Sequence, residues 1–140
     1  MERADARLEM LNLSNNPIPG PVVRRIVTAV PPSLRRLYLA HLPQCEWDSV
    51  MSDVLASRPR LLLDRLNLDF TRVTATTSLA AVPAVRIDMC GSQLTDAHVP
   101  HLLATPSAEL RVLRNAFSSA AVDELRAANQ VGGGGKFIDV

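Results

Sequence analysis

The chain has 140 residues, enough for one domain with a real core, and 15 basic against 14 acidic side chains leave it almost neutral. Such balance excludes a general electrostatic drive toward nucleic acid or an anionic membrane. Hydrophobic residues make up 47% but aromatics only 4%, so the core has to be built from Leu, Val, Ile and Ala.

In chain order, residues 1–7 form a charged lead-in that lacks the apolar centre of a signal peptide. A spacing then begins that recurs to the end. It reads Leu8-x-x-Leu11-x-Leu13-x-x-Asn16, Leu34-x-x-Leu37-x-Leu39-x-x-Leu42 and Leu63-x-x-Leu66-x-Leu68-x-x-Thr71. It continues as Val82-x-x-Val85-x-Ile87-x-x-Cys90 and Ser107-x-x-Leu110-x-Val112-x-x-Asn115, and Ile138-x-Val140 is a last fragment. Within each unit the middle apolar pair brackets a polar residue, as Leu66 and Leu68 bracket Asn67, and this period of two predicts a short half-buried strand. The closing Asn16 and Asn115 can satisfy backbone groups where the chain leaves the strand. Thr71 and Cys90 can fill the same slot with a small, weakly polar side chain.

Helical spacing follows the strands. Val22, Val23, Ile26, Val27 and Val30 form one stripe, ended by Pro31 and Pro32. Val50, Met51, Val54 and Leu55 form a second, entered through Asp48 or Ser49 and ended before Pro59. Thr95 and Asp96 open a third toward Val99, Leu102 and Leu103, where Pro100 predicts a late start or a kink. Ser118 caps a fourth that carries Val122 and Leu125. Residues 71–78, rich in Thr and Val, predict an irregular connection or a single turn. Asn129 to Gly135, with four consecutive glycines, reads as a link to a terminal strand over 136–140.

Parallel repetition of strand, turn and helix gives a curved solenoid with strands on the concave side and helices on the convex side. Neighbouring strands advance about 4.8 Å whereas helices are about 10 Å wide. Between the fourth positions 11, 37, 66, 85, 110 and 138 the steps are 26, 29, 19, 25 and 28 residues. With these lengths, and with Cys90-Gly91-Ser92-Gln93-Leu94-Thr95-Asp96-Ala97 running into Val99 and Asn115-Ala116-Phe117-Ser118 into Val122, the chain resembles the ribonuclease inhibitor-like leucine-rich repeats. The resemblance covers nearly the whole chain. It implies one α/β leucine-rich repeat domain over 1–140, with repeats over 8–128, similar to short bacterial arrays or the C-terminal part of a longer one.

The exposed strand positions define the candidate site. Asn12, Arg36, Tyr38, His41, Arg65, Asn67, Phe70, Arg86, Met89, Arg111 and Arg114 are expected on the concave face, where Arg and Tyr offer large contact area with hydrogen bonding. Asn12, Tyr38, Asn67, Arg86 and Arg111 share one repeat position and should form a row about 20 Å long. Phe70 and Met89 are expected as exposed apolar groups beside the arginines. Asp64 and Asp69, or Asp69 and Asp88, are candidate neighbours on this face, and such pairs fit as counter-charges to Arg65 and Arg86 better than as acid–base pairs.

No nucleophile motif or phosphate loop is present. His41, Cys45, His98 and His101 lack paired metal-ligand spacing, and Gly132 to Gly135 lack the Lys-Ser/Thr of a nucleotide cradle. Trp47 reads as packing at a helix entrance. These features, with what the resemblance implies, point to a non-catalytic protein-binding module in a reducing cytoplasm, with no cofactor, metal, nucleic acid or membrane partner. The alternatives are a structural subunit docking or self-associating through an uncapped N-terminal edge, and a regulator of the GTPase-activating or enzyme-inhibiting kind.

Overall fold

The structure is a computed structural model and describes residues 7–47, 54, 57–58, 61–73, 84–105, 107–130 and 137–140. The entry to the second helical stripe, the connection over 74–83, the first position of the fourth motif at Val82 and the glycine run all lie outside the described residues, as does the Trp47 side chain.

Strand β1 (Met10–Asn12) leads to helix α1 (Gly20–Ala29) and strand β2 (Arg36–Tyr38). A two-residue strand, β3 (Glu46–Trp47), precedes β4 (Leu63–Asn67), and another, β5 (Arg72–Val73), precedes β6 (Ala84–Asp88). A 3-10 turn, Asp96–His98, opens helix α2 (Val99–Ala104), so the helix containing Pro100 starts late, with that proline in its first turn. Strand β7 (Glu109–Arg111), helix α3 (Ser119–Gln130) and strand β8 (Phe137–Asp139) complete the order.

Six strands make one sheet in the order β1-β2-β4-β6-β7-β8, every pair parallel. The chain is therefore α/β with its helices between successive strands. β3 and β5 form a separate parallel ribbon. Register sets Leu11, Leu37, Leu66, Ile87, Leu110 and Ile138 side by side, and Leu13, Leu39, Leu68, Met89, Val112 and Val140 follow two residues on. These apolar rows pack in one core with Val23 and Val27 of α1, Leu102 of α2 and Leu125 of α3, so the helices cover one face of the sheet. Val54 packs on the same core. Val30 is buried where α1 ends, whereas Val22, expected in its stripe, is exposed.

The fourth motif is corrected by two residues. Val85, expected as an inner rung, is 56% exposed, and Ile87 takes its place. The unit reads Ala84-x-x-Ile87-x-Met89-x-x-Ser92, which makes the two central steps 21 and 23 residues where 19 and 25 were expected. Both frames satisfy an apolar template, since Val85, Ile87 and Met89 alternate. The turn after the strand separates them. Four residues beyond each of the first five inner rungs the backbone is left-handed, at Asn15, His41, Phe70, Gly91 and Arg114, with φ between 53° and 62°. The observed frame puts a glycine there, whereas the alternative would force Met89 into it.

The closing position also follows the new frame. Thr71 Oγ1 donates to Leu39 O at 2.6 Å, and Ser92 Oγ donates to Leu68 O at 2.7 Å. Asn115 Nδ2 donates to Met89 O at 2.8 Å. Each of these side chains reaches back to the preceding strand and satisfies a carbonyl in the interior. Cys90, expected in this slot, lies two residues earlier. It and Cys45 are both buried, and no disulfide joins them.

Helix and strand ends are tied down by side chains as well. Arg58 Nη1 donates to Val27 O and Thr28 O at the end of α1, at 3.2 and 3.3 Å. Ser118 Oγ accepts from Ala121 N at 3.2 Å and caps α3. Asn129, near the end of α3, exchanges two 2.7 Å hydrogen bonds with the Ile138 backbone and so fixes β8. At the opposite edge Leu8 is 40% exposed and Met10 48%, although the residues equivalent to Leu8 in the next three strands are buried.

Candidate functional site

The face of the sheet turned away from the helices carries two rows of side chains. Strand alternation puts the neighbours of each inner rung on this side. One row runs Met10, Arg36, Arg65, Arg86, Glu109 and Phe137, and the other Asn12, Tyr38, Asn67, Asp88, Arg111 and Asp139. The expected row of Asn12, Tyr38, Asn67, Arg86 and Arg111 is thereby corrected. Asp88 stands where Arg86 was expected, because of the two-residue shift, and Arg86 lines up with Arg36 and Arg65.

Asp88 is the centre of this face. Its side chain is only 1% exposed, and both carboxylate oxygens are engaged. Arg65 Nε donates to Oδ2 at 2.7 Å, while Arg86 Nε and Nη2 each lie 3.0 Å from Oδ1. The Arg65 guanidinium also sits over the Tyr38 ring, 5.4 Å from its centroid. Burial works against the charge of Arg65, but the hydrogen bond and charge of Asp88, with Tyr38 beside it, hold its pKa above the ordinary value. Toward the far edge Arg86 Nη1 lies 4.0 Å from Glu109, and Arg111 Nε lies 3.3 Å from Asp139. Arg36 is exposed and makes no ion pair with the described residues.

The asparagines of this face serve the backbone. Asn12 Oδ1 accepts from Ser14 N at 3.0 Å and Asn67 Oδ1 from Asp69 N at 2.8 Å, each closing the turn after its strand. Asp69 Oδ1 in turn accepts from Cys90 N at 2.8 Å.

A second cluster lies along the left-handed positions. His41 and Phe70 stack with ring centroids 4.4 Å apart and planes at 23°. The Phe70 ring covers Gly91, where a Cβ would fall 2.6 Å from Cε1. Phe70 lines two shallow clefts of about 220 and 210 Å³. The first is completed by Asp69, Cys90, Arg111, Leu113 and Arg114, and the second by Leu42, Pro43, Cys45, Arg72 and Gln93. Burial, followed by the charge of Asp69, pushes the Cys90 thiol up, so it is a poor nucleophile near neutral pH.

No family model matches this chain, and no curated protein does either.

Of the expected site residues, Arg36, Tyr38, Arg65, Arg86 and Arg111 share the sheet face with Asn12 and Asn67, while His41, Phe70 and Arg114 sit beside it at the strand ends. Met89 is a correction: it is fully buried as an inner rung and belongs to the core. The residue that sequence reasoning treated only as a counter-charge is Asp88. A buried carboxylate flanked by Arg65 and Arg86 becomes visible once Gly91, and not Met89, is taken as the left-handed residue. Among the described residues no three His, Cys, Asp or Glu side chains gather to hold a metal, and no helix is long and apolar enough to cross a membrane.

Proposed function

We propose that the chain is a leucine-rich repeat solenoid of the ribonuclease inhibitor-like subtype, a non-catalytic module that holds a protein partner on the concave side of its sheet. Parallel strands at steps of 26, 29, 21, 23 and 28 residues, the first five of them followed by a left-handed residue, support the solenoid reading. The observation that carries the binding reading is the asymmetry of the sheet. Helices pack against one face, while the other carries two rows in which arginine, tyrosine and asparagine predominate on β2, β4 and β6. Arginine and tyrosine are among the residue types that anchor protein interfaces, and a rigid sheet holds them with little further loss of entropy on binding. Two buried thiols joined by no disulfide fit a reducing cytoplasm.

Site-directed photo-crosslinking tests this reading. p-Benzoylphenylalanine replaces Asn12 or Arg36 on the open face, and Arg25 or Arg126 on the helices, in the full chain exposed to extract of its source cells. Adducts should form from positions 12 and 36. Adducts arising only from 25 and 126 would reject the face.

A further inference from the structure

The charge on the open face is divided, and the division names the chemistry of what fits there. Across β2, β4 and β6 one row presents Arg36, Arg65 and Arg86 on adjacent strands. Within the two rows of these strands the carboxylate is Asp88, sequestered between two of the three guanidiniums, while Asp64, exposed on β4 just before Arg65, lies outside both rows. Asp69 stands at the strand ends with one oxygen occupied by Cys90 N. The other acidic groups of the two rows, Glu109 and Asp139, belong to β7 and β8. Within the two rows, β2, β4 and β6 carry three guanidiniums to one carboxylate, whereas β7 and β8 carry one to two, and Glu109 approaches Arg86 Nη1 at 4.0 Å from that side.

The same residues are held in place. Asp88 takes the Nε side of both arginines, and the Tyr38 ring backs that of Arg65. Arg65 and Arg86 remain about a third and a quarter exposed, so their guanidiniums stay reachable. A guanidinium whose direction is fixed loses less entropy when it meets a carboxylate, and its planar fork suits that group. Two strand spacings separate Arg36 from Arg86, about 10 Å, which is about three residues of an extended chain.

Building on the protein-binding reading above, we propose that Arg36, Arg65 and Arg86 form a receptor for an acidic segment of the partner, an extended stretch with carboxylates within about three or four residues. Asp88 is the positioning residue of that receptor. Phe70 and His41, exposed at the ends of the neighbouring strands, lie where an apolar residue beside the acidic stretch would rest.

Fluorescence anisotropy with the full chain tests the proposal. The probes are a labelled 12-residue peptide centred on Glu-Asp-Glu-Glu, the same peptide with Gln and Asn in place of the acids, and a single-stranded DNA 12-mer, each at several salt concentrations. The acidic peptide should bind, with an affinity that falls as salt rises, and the amide peptide should not. Arg36→Gln should weaken binding about threefold, while Arg36→Lys restores most of it. Asp88→Asn separates positioning from bulk charge. It makes the face more positive, so charge alone predicts tighter binding, whereas loss of positioning predicts binding weaker by about fivefold.

Equal binding of acidic and amide peptides overturns the proposal, and so does DNA binding as tight as the acidic peptide. Tighter binding by folded Asp88→Asn overturns the role of Asp88. If that variant fails to fold, Arg36→Gln and the DNA comparison still decide whether the receptor exists. Crosslinks from positions 12 and 36 without acidic-peptide binding leave the protein-binding reading standing and remove this one.

Discussion

Phe70 and Gly91 occupy equivalent positions on neighbouring strands, and each constrains the other. Both backbones are left-handed, a conformation that costs a residue with a Cβ about 1–2 kcal/mol and glycine little. Phe70 bears that cost and stacks on His41, while Gly91 leaves room for the ring above it. Gly91→Ala therefore meets two separate penalties, the positive φ and a Cβ pressed 2.6 Å from Phe70 Cε1. The variant should lose about 2 kcal/mol or more in urea unfolding. Adding Phe70→Ala to it should return the steric part and leave the backbone part. A double-mutant cycle reads this as coupling of about 1 kcal/mol, and strict additivity would show that the ring yields freely. A left-handed Phe or Arg carries no mark in sequence, which is why the column became visible only through its glycine.

At the scale of the repeat unit, the side chain that closes each strand ties it to the strand before. Asn115 does this most fully. Its Nδ2 donates to Met89 O, Val112 O and Leu113 O, and its Oδ1 accepts from Ser92 N and Leu94 N. Thr71 makes a single such bond, to Leu39 O. Asn115→Ala, which strands several interior backbone groups, should cost about 3–4 kcal/mol, and the nearly isosteric Thr71→Val about 1–2 kcal/mol. Chemical denaturation with an unchanged m-value checks both. Equal losses would mean that water enters the Asn115 site and takes over its partners. These residues were legible in sequence because Asn and Thr recur at a fixed offset from the apolar triplet. Ser92 was not, since a run of alternating apolar residues in β6 admits two frames two residues apart. The same ambiguity placed Met89 on the surface and misaligned Arg86, so the site inherited an error that began in the core. Asn129, which fixes β8 from the end of α3, escaped because its partner is backbone nine residues on and no spacing rule marks it.

Over the whole molecule the inner rungs form one continuous row, so the cost of truncating a rung depends on how many neighbours share it. Leu66 is wholly buried between Leu37 and Ile87, with strands on both sides. Leu11 is half-buried on the edge strand and has a strand neighbour on one side only. The sequence made these two positions equivalent, since the spacing repeats without saying which units lie at an edge. Removing the Leu66 side chain should open a cavity that the parallel strands cannot close, at about 3–5 kcal/mol, whereas Leu11→Ala should cost about 1 kcal/mol. Hydrogen exchange of the ladder amides separates the two outcomes further. Leu39 N and Leu68 N, which donate across β2–β4 and β4–β6, should exchange much faster in Leu66→Ala. In Leu11→Ala the change should be confined to Leu13 N, the corresponding amide between β1 and β2. Uniform acceleration across all strands in both variants would instead mean that the sheet opens only as a whole, with no independent behaviour at its edge.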